Sequence, residues 1–388
     1  MKKINYCVVC HTAIGKNKTD NPGPGHALIY YLEKEKQPYL FIRHSIYAEG
    51  ITFMTYSDGV NKTDKIIEHK IYFGEIGARI FEGWITFRLI LKYYRKSKIV
   101  YIGEDPLNAF WGLVLKKIYK AKMFITFNPD YTKTRYGNLL LNNFYHFLDR
   151  LTNRNSDLIL AVSRRILDIR RSDGIPSEKL IWVPNSPAIS RTKKLVSNSG
   201  DPHKLIVVSA RRTISEFTML LNSIEVLSKE IPQIKLTFVC LPLMEKKLKA
   251  LVKKKKLQKN IFFLSSMSHD ELFKAIASHG VGIAFYINSY SGEYYMDSMK
   301  ARDYLALGLP VIISGDNGTA EDIVENNAGI HIKANEKELI AAIKKISGNK
   351  RLYSELRANA LALATKRDNE QILKKIFEKI SIEYFKKD

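Results

Sequence analysis

Short runs of apolar, β-branched and aromatic residues alternate along this chain with longer stretches whose apolar positions recur every three or four residues. That alternation predicts parallel α/β layers, each strand followed by a helix. In the first half the strand candidates are Tyr6–Val9, Tyr39–Ile42, Ile51–Tyr56, Ile99–Ile102, Met123–Phe127 and Leu158–Val162. Helices are expected over Gly25–Glu35, Arg79–Tyr94, Asn108–Tyr119, Leu139–Asn153 and Arg165–Asp173. The piece Pro187–Lys204 is rich in Ser, Lys and Pro, lacks a periodic apolar pattern, and reads as a linker. A second series then runs from the strand Leu205–Val208 to the strand Pro310–Ile313, followed by a strongly helical tail. The pattern predicts two Rossmann-like, doubly wound α/β domains facing each other across a cleft. Their expected bounds are 1–186 and 205–368, with the linker at 187–204 and a closing helix at 369–388 that is free to pack back on the first domain. Ligands of such sheets bind beyond the carboxyl ends of the strands.

The most apolar stretch, Ile76–Tyr94, is interrupted by Arg79, Glu82, Arg88 and Lys92. A membrane-spanning helix needs roughly 20 nearly uncharged residues. Ile80, Trp84, Phe87 and Leu91 share one helical face, which is expected to face the core; a helix dipping into an anionic leaflet is the alternative. The N-terminal apolar run is too short for a secretory leader. Three cysteines (Cys7, Cys10, Cys240) are too few for a disulfide framework and suit a reducing compartment. The expected location is therefore cytoplasmic, with peripheral contact at the inner face of the membrane.

Charge sharpens this. Lys and Arg number 62 against 39 acids, a net +23, which draws the chain towards anionic membranes or phosphorylated ligands. No arginine-rich arm, zinc finger or RNP motif is present, so nucleic acid is not an expected partner. Cys7-x-x-Cys10 lies on a strand rather than at a helix start, and no second Cys/His pair has metal spacing, so neither a redox pair nor a metal site is expected.

The strongest local signal is Lys300-Ala-Arg-Asp303-Tyr-Leu-Ala-Leu-Gly308-Leu-Pro310-Val311. Gly308 ends a short helix and Pro310 fixes the exit into a buried strand. Asp303 either accepts both hydroxyls of a ribose or serves the helix macrodipole. Arg211 and Arg212 follow the strand Leu205–Val208 at its carboxyl end and are candidates for binding a diphosphate. Gly23 and Gly25 follow the first strand and permit close backbone approach, or simply a turn. Asn128 and Asp130 follow the strand Met123–Phe127. The tyrosines Tyr286, Tyr290, Tyr294 and Tyr295 can stack a base or a sugar, or pack a loop; His11 and His26 flank the glycine loop.

The segment ending at Val311 resembles the nucleotide-binding stretch of family-4 (group 1) glycosyltransferases, which have the two-domain GT-B fold. Similar blocks are Asp157-Leu-Ile-Leu-Ala-Val-Ser163, Val183-Pro-Asn185, Glu321-Asp-Ile-Val with Gly329-Ile, and Asn21-Pro-Gly23-Pro-Gly25-His26. The chain departs from the family at three places. Tyr295 stands where the first of two glutamates is usual, with Glu293 the nearest acid. Ser215 replaces the lysine of the diphosphate clamp, and Asn185–Ser186 replaces Asn-Gly. Lys300, three residues before Asp303, places the chain in a subset of the family.

The resemblance implies a metal-independent, retaining glycosyltransferase with no cofactor beyond its nucleotide-sugar substrate. A glycan or lipid-linked acceptor in cell-surface polysaccharide or glycolipid synthesis is expected. The expected catalytic groups are Asp130 on the acceptor side and Arg211 and Lys300 against the diphosphate. Asp303, Arg212, Ser298, Met299 and Tyr295 are expected to hold the donor nucleotide, and Gly23, Gly25 and Asn128 to line the cleft. The competing readings are a degenerate nucleotide-binding protein of the same fold and another GT-B enzyme such as a sugar-nucleotide epimerase.

Overall fold

The computed structural model describes residues 3–14, 23–47, 49–71, 74–197, 200–209, 214–265, 267–287 and 291–386. The chain divides into two units, Met1–Val183 with Glu370–Asp388, and Pro184–Asn369.

The strands of the first unit are β1 (Tyr6–Thr12), β2 (Tyr39–Ser45), β3 (Ile51–Ser57), β4 (Lys62–Glu68), β5 (Ile99–Glu104), β6 (Ala121–Asn128), β7 (Leu158–Ala161) and β8 (Leu180–Trp182). They form one sheet in the order β4-β3-β2-β1-β5-β6-β7-β8. β2, β1, β5, β6, β7 and β8 run parallel. β3 and β4 add an antiparallel edge that the α/β pattern did not predict. β4 escapes pattern reading because it is a charged, largely exposed edge strand; such lysine-bearing edges resist pairing with other chains. β1 is buried along nearly its whole length, as a central parallel strand must be.

The helices are α1 (Pro24–Lys34), α2 (Gly74–Tyr94), α3 (Asp105–Lys117), α4 (Leu139–Asn155) and α5 (Arg164–Ser172). Of the α2 face expected to enter the core, only Phe87 packs against it. Ile85, Leu89 and Ile90 enter the core, and Ile80, Trp84 and Leu91 are exposed. Both stripes are apolar, so periodicity alone cannot choose between them; the neighbouring side chains of β1, β2 and β5 in the core do.

The second unit has β9 (Lys204–Ser209), β10 (Lys235–Cys240), β11 (Ile261–Leu264), β12 (Val281–Ala284), β13 (Val311–Ser314) and β14 (Gly329–Ile332). All are parallel, in the order β11-β10-β9-β12-β13-β14. This is the strand order 3-2-1-4-5-6 of dinucleotide-binding sheets, whose order reverses between the first and fourth strands. The helices are α6 (Ile189–Thr192), α7 (Ser215–Glu230), α8 (Pro242–Lys254), α9 (His269–Ala277), α10 (Gly292–Tyr295), α11 (Met299–Ala306), α12 (Gly318–Glu325), α13 (Glu336–Ser347) and α14 (Lys350–Lys366). The piece read as a linker is structured: α6 and a following 3-10 turn, Lys193–Leu195, place Ile189 and Leu195 against the core. α15 (Asn369–Lys386) belongs to the first unit, where Phe377 stacks on Tyr31 and meets Tyr6 edge-on.

Among the described residues no helix is long and apolar enough to cross a membrane. Cys7, Cys10 and Cys240 are buried, and none of them forms a disulfide among the described residues.

Candidate functional site

The candidate residues divide between the two units. In the second, the reversal of strand order falls between β9 and β12, and a recess opens there at their carboxyl ends. Ser209, Glu216, Tyr286 and Lys300 line it. Lys300 reaches it from the first turn of α11. That helix is capped by Ser298, whose hydroxyl accepts the Ala301 amide at 3.2 Å and lies 2.7 Å from the Tyr286 hydroxyl. It is stopped by Gly308, whose φ of +75° is the left-handed conformation that glycine adopts without strain. The Val208 amide donates to the Tyr304 hydroxyl oxygen at 2.8 Å, tying α11 to β9 beside the recess.

Ser298 and Tyr295 differ from expectation. Both are buried, and Ser298 spends its hydroxyl on the helix cap and on Tyr286. Met299 remains exposed at the start of the helix. Behind the cap lies a buried ion network. Arg302 donates to Asp297 at 2.7 Å and to Asp322 at 2.5 Å, and Arg367 also reaches Asp322, at 2.8 Å. Asp297 accepts the Asn185 amide at 2.6 Å and the Thr319 hydroxyl at 3.0 Å. These pairs hold the turn before α11 in place.

Asp303 is buried on α11, 3.6 Å from His269 at the start of α9. Burial lifts its carboxyl above the ordinary range, and His269 partly offsets this. Sequence reasoning had not assigned His269 to the site. The signal was present in Ser268-His-Asp-Glu271, a capping box that marks the start of a helix. Arg211, Arg212, Tyr290 and the Asn21–Pro22 part of the glycine loop lie outside the described residues.

In the first unit the strand order turns between β1 and β5, and a second cluster occupies their carboxyl ends. His11 Nδ1 is 2.7 Å from Asp105, and its Nε2 is 3.1 Å from Glu82. Burial alone would lower its pKa, but Asp105 and Glu82 lift it to about 9, so His11 is a fixed cation at neutral pH rather than a base. Burial opposes ionisation of both acids, yet His11 holds them below the ordinary carboxylate range. Asp105 carries this contact with a φ of +63°, while its other oxygen caps α3 by accepting the Leu107 and Asn108 amides at 2.9 and 3.0 Å. Neighbouring His44 bonds Thr52 and Thr86, and burial drives its pKa down to about 3.

Glu104 ends β5 and is 4% exposed; its Oε1 has no hydrogen-bond partner. Burial raises its pKa to about 8. Gly25 faces it so closely that a Cβ there would overlap the carboxyl group. Gly23 precedes α1 and donates its amide to His26 Nδ1 at 3.0 Å.

Asn128 corrects the expectation of a cleft-facing side chain. It ends β6, is buried, and accepts two bonds from Arg170 at 2.6 and 3.1 Å, so it serves a buried Arg170–Asp149–Asn153 network. Asp130 is exposed and paired with Arg135 at 2.8 Å. Sequence reasoning missed Glu82, Glu104 and Asp105. The acid pair at the exit of β5 was the available signal. Among the described residues, no group of three or more His, Cys, Asp or Glu side chains is placed to hold a metal ion.

Residues 190–362 match the family model for glycosyl transferases group 1. No curated protein matches the sequence. Among solved structures, sucrose-phosphate synthase from Thermosynechococcus elongatus is 13% identical, with a TM-score of 0.70 over 98% of this chain and 100% of that one. Anabaena HepE in complex with UDP is 14% identical, with a TM-score of 0.68 over 97% and 99%. An Escherichia coli trehalose-6-phosphate structure bound with UDP-2-fluoro glucose is 12% identical, with a TM-score of 0.70 over 98% and 99%. Fold and family signal agree: the chain has the GT-B fold, and over residues 190–362 it matches the group 1 glycosyl transferases.

Proposed function

We propose that this chain is a retaining, metal-independent glycosyltransferase that moves a sugar from a nucleotide-sugar donor to a glycan or lipid-linked acceptor. The observation that carries the reading is the recess at the β9/β12 switch point with Lys300 at its wall, inside the segment that matches the family. UDP in the HepE structure and UDP-2-fluoro glucose in the E. coli structure support a uridine donor. Asp303, with His269 beside it, takes the ribose, and Ser298, Met299 and Tyr295 shape the turn beside the nucleotide.

When the bond between the anomeric carbon and the diphosphate breaks, charge grows on the leaving oxygens. Lys300, with Arg211 or Arg212, stabilises it in the transition state. The acceptor oxygen forms its bond to the anomeric carbon on the same face, and its proton passes to a donor phosphate oxygen. Asp130 and the cluster around His11 belong to the acceptor side.

The place of action is the inner face of the cell membrane, in cell-surface polysaccharide or glycolipid synthesis. The outward stripe of α2 beside Arg88, Lys92 and Arg95, together with the +23 net charge, supports peripheral contact there.

A thermal-shift screen over nucleoside diphosphates and sugar nucleotides tests the reading. A ligand at about 100 times its dissociation constant adds about 2.7 kcal/mol. The stabilising sugar nucleotide should then be consumed when acceptor is supplied. No stabilisation by any nucleotide would overturn the proposal.

A further inference from the structure

We propose that the outward face of α8, in the second unit, is a docking surface for an anionic lipid bilayer. The inference rests on the place of action given above and adds a contact besides α2, in the unit that holds the recess.

α8 is anchored by Met244, Leu248 and Val252, which are buried in the core beneath it. Helical spacing defines the opposite face. Leu243, Lys246, Lys247, Ala250, Lys253 and Lys254 follow at i, i+3, i+4, i+7, i+10 and i+11, an arc of about 120° at about 3.6 residues per turn. All six are exposed, Leu243 by 70%.

That face carries four lysines and no acid. The one acid of α8, Glu245, bonds Lys249 at 2.7 Å, and Glu225 of α7 takes Lys255 at 2.6 Å. These neighbouring carboxylates are engaged by lysines at the flanks, outside the face. Solvated helix faces ordinarily mix the two signs. A helix also gathers cations at its C-terminal end to suit its dipole, which accounts for Lys253 and Lys254. Lys246 and Lys247 stand in the N-terminal half, where the dipole gives them nothing.

A field of like charge is complementary to an anionic surface, and its composition favours lipid. Every cation on the face is lysine. Nucleic-acid and phosphopeptide sites rely on arginine, whose planar fork grips phosphate through paired bonds; lysine is a hydrated point charge that suits a diffuse anionic layer. Leu243 adds an apolar side chain that a headgroup layer can bury, with the lysine stems lying along it. A phosphate backbone offers Leu243 no such partner. Each lysine held near an anionic leaflet strengthens partition about fivefold.

Sedimentation of the full chain with vesicles of phosphatidylglycerol and phosphatidylcholine in equal parts, in about 0.1 M salt, tests this. Lys246→Gln/Lys253→Gln should weaken binding about 25-fold, and Lys246→Gln/Lys247→Gln/Lys253→Gln/Lys254→Gln by roughly several hundredfold. Lys274→Gln/Lys366→Gln should leave it within twofold. That pair removes as much charge as the first double variant, but from α9 and α14, which bury Phe273 and Leu363 in a different core from the one under α8. Salt at about 1 M should abolish the binding. UDP protection, read by thermal shift, should be the same in every variant, since no residue of α8 lines the recess.

If vesicle binding persists in the four-lysine variant, the proposal is overturned; its loss in Arg88→Gln/Lys92→Gln instead would give the contact to α2 alone. If UDP protects but no anionic vesicle binds, this surface falls and the transferase reading stands. If vesicles bind through α8 and no nucleotide protects, the donor reading falls and this surface stands. Retention on duplex DNA at about 0.2 M salt, lost in the four-lysine variant and unaccompanied by vesicle binding, would make nucleic acid the occupant and overturn the proposal.

Discussion

The carboxyl group of Glu104 and the backbone of Gly25 occupy the same small space at the carboxyl edge of the first sheet. Any side chain at position 25 would run into Glu104 Oε1, which is itself buried without a partner. The glycine is required by an acid 79 positions away as much as by any ligand.

Gly25→Ala is therefore expected to destabilise the first unit by about 1–3 kcal/mol, the usual cost of overpacking. Much of that loss should disappear in the double variant Gly25→Ala/Glu104→Ala. A double-mutant cycle by urea unfolding checks this, and additive effects would refute the contact.

Glu104 also predicts a pH dependence. Its folded pKa, about 8, lies above its ordinary value of 4.5, so the unfolded chain gives up the proton first. The associated stability is complete below about pH 4.5 and is lost as pH rises to about 8. His11 acts in the same direction at higher pH: its folded pKa of about 9 exceeds 6.5, so its contribution falls between those values. Glu104→Gln should raise the melting temperature at pH 8 and flatten its decline between pH 5 and 8. His11→Gln should lower the melting temperature at pH 6 and change it least above pH 9. Melting curves of the three proteins across pH 5–9 decide both.

Asp303→Ala should weaken nucleotide binding roughly ten- to a hundredfold, the effect of losing hydrogen bonds to a charged group of about 1.5–3 kcal/mol. His269→Ala should cost less, because His269 orients Asp303 from 3.6 Å. Calorimetry with the nucleoside diphosphate found by thermal shift measures both. Unchanged affinity in Asp303→Ala would remove it from the ribose site.

Lys300→Ala should lower kcat about a hundredfold while changing KM little, since a cation that meets growing phosphate charge acts in the transition state. Steady-state rates for Lys300→Ala, Arg211→Ala and Arg212→Ala apportion the role. If the lysine variant keeps wild-type kcat and an arginine variant loses it, the arginine is the clamp.

Arg302→Met should cost about 3–5 kcal/mol, because Asp297 and Asp322 would be left buried with less compensation. Denaturant unfolding with UDP present and absent reads this loss.

The sequence by itself determined the α/β layering and the helix stop at Gly308, because each is set by neighbours within a few residues: periodicity, capping and the conformational freedom of glycine. Tertiary structure decided the rest. α2 carries two apolar stripes, and only packing against the sheet shows that Ile85, Leu89 and Ile90 go inwards while Ile80, Trp84 and Leu91 face water. Asn128 looks like a loop polar residue until Arg170, 42 positions on, claims its oxygen in the interior. His11 is an ambiguous loop histidine in the sequence; it becomes a cation when folding brings Glu82 and Asp105, 71 and 94 positions away, against its ring. Charge state and side-chain direction depend on neighbours that are distant along the chain, so they exist only once the sheet has placed the strand ends side by side.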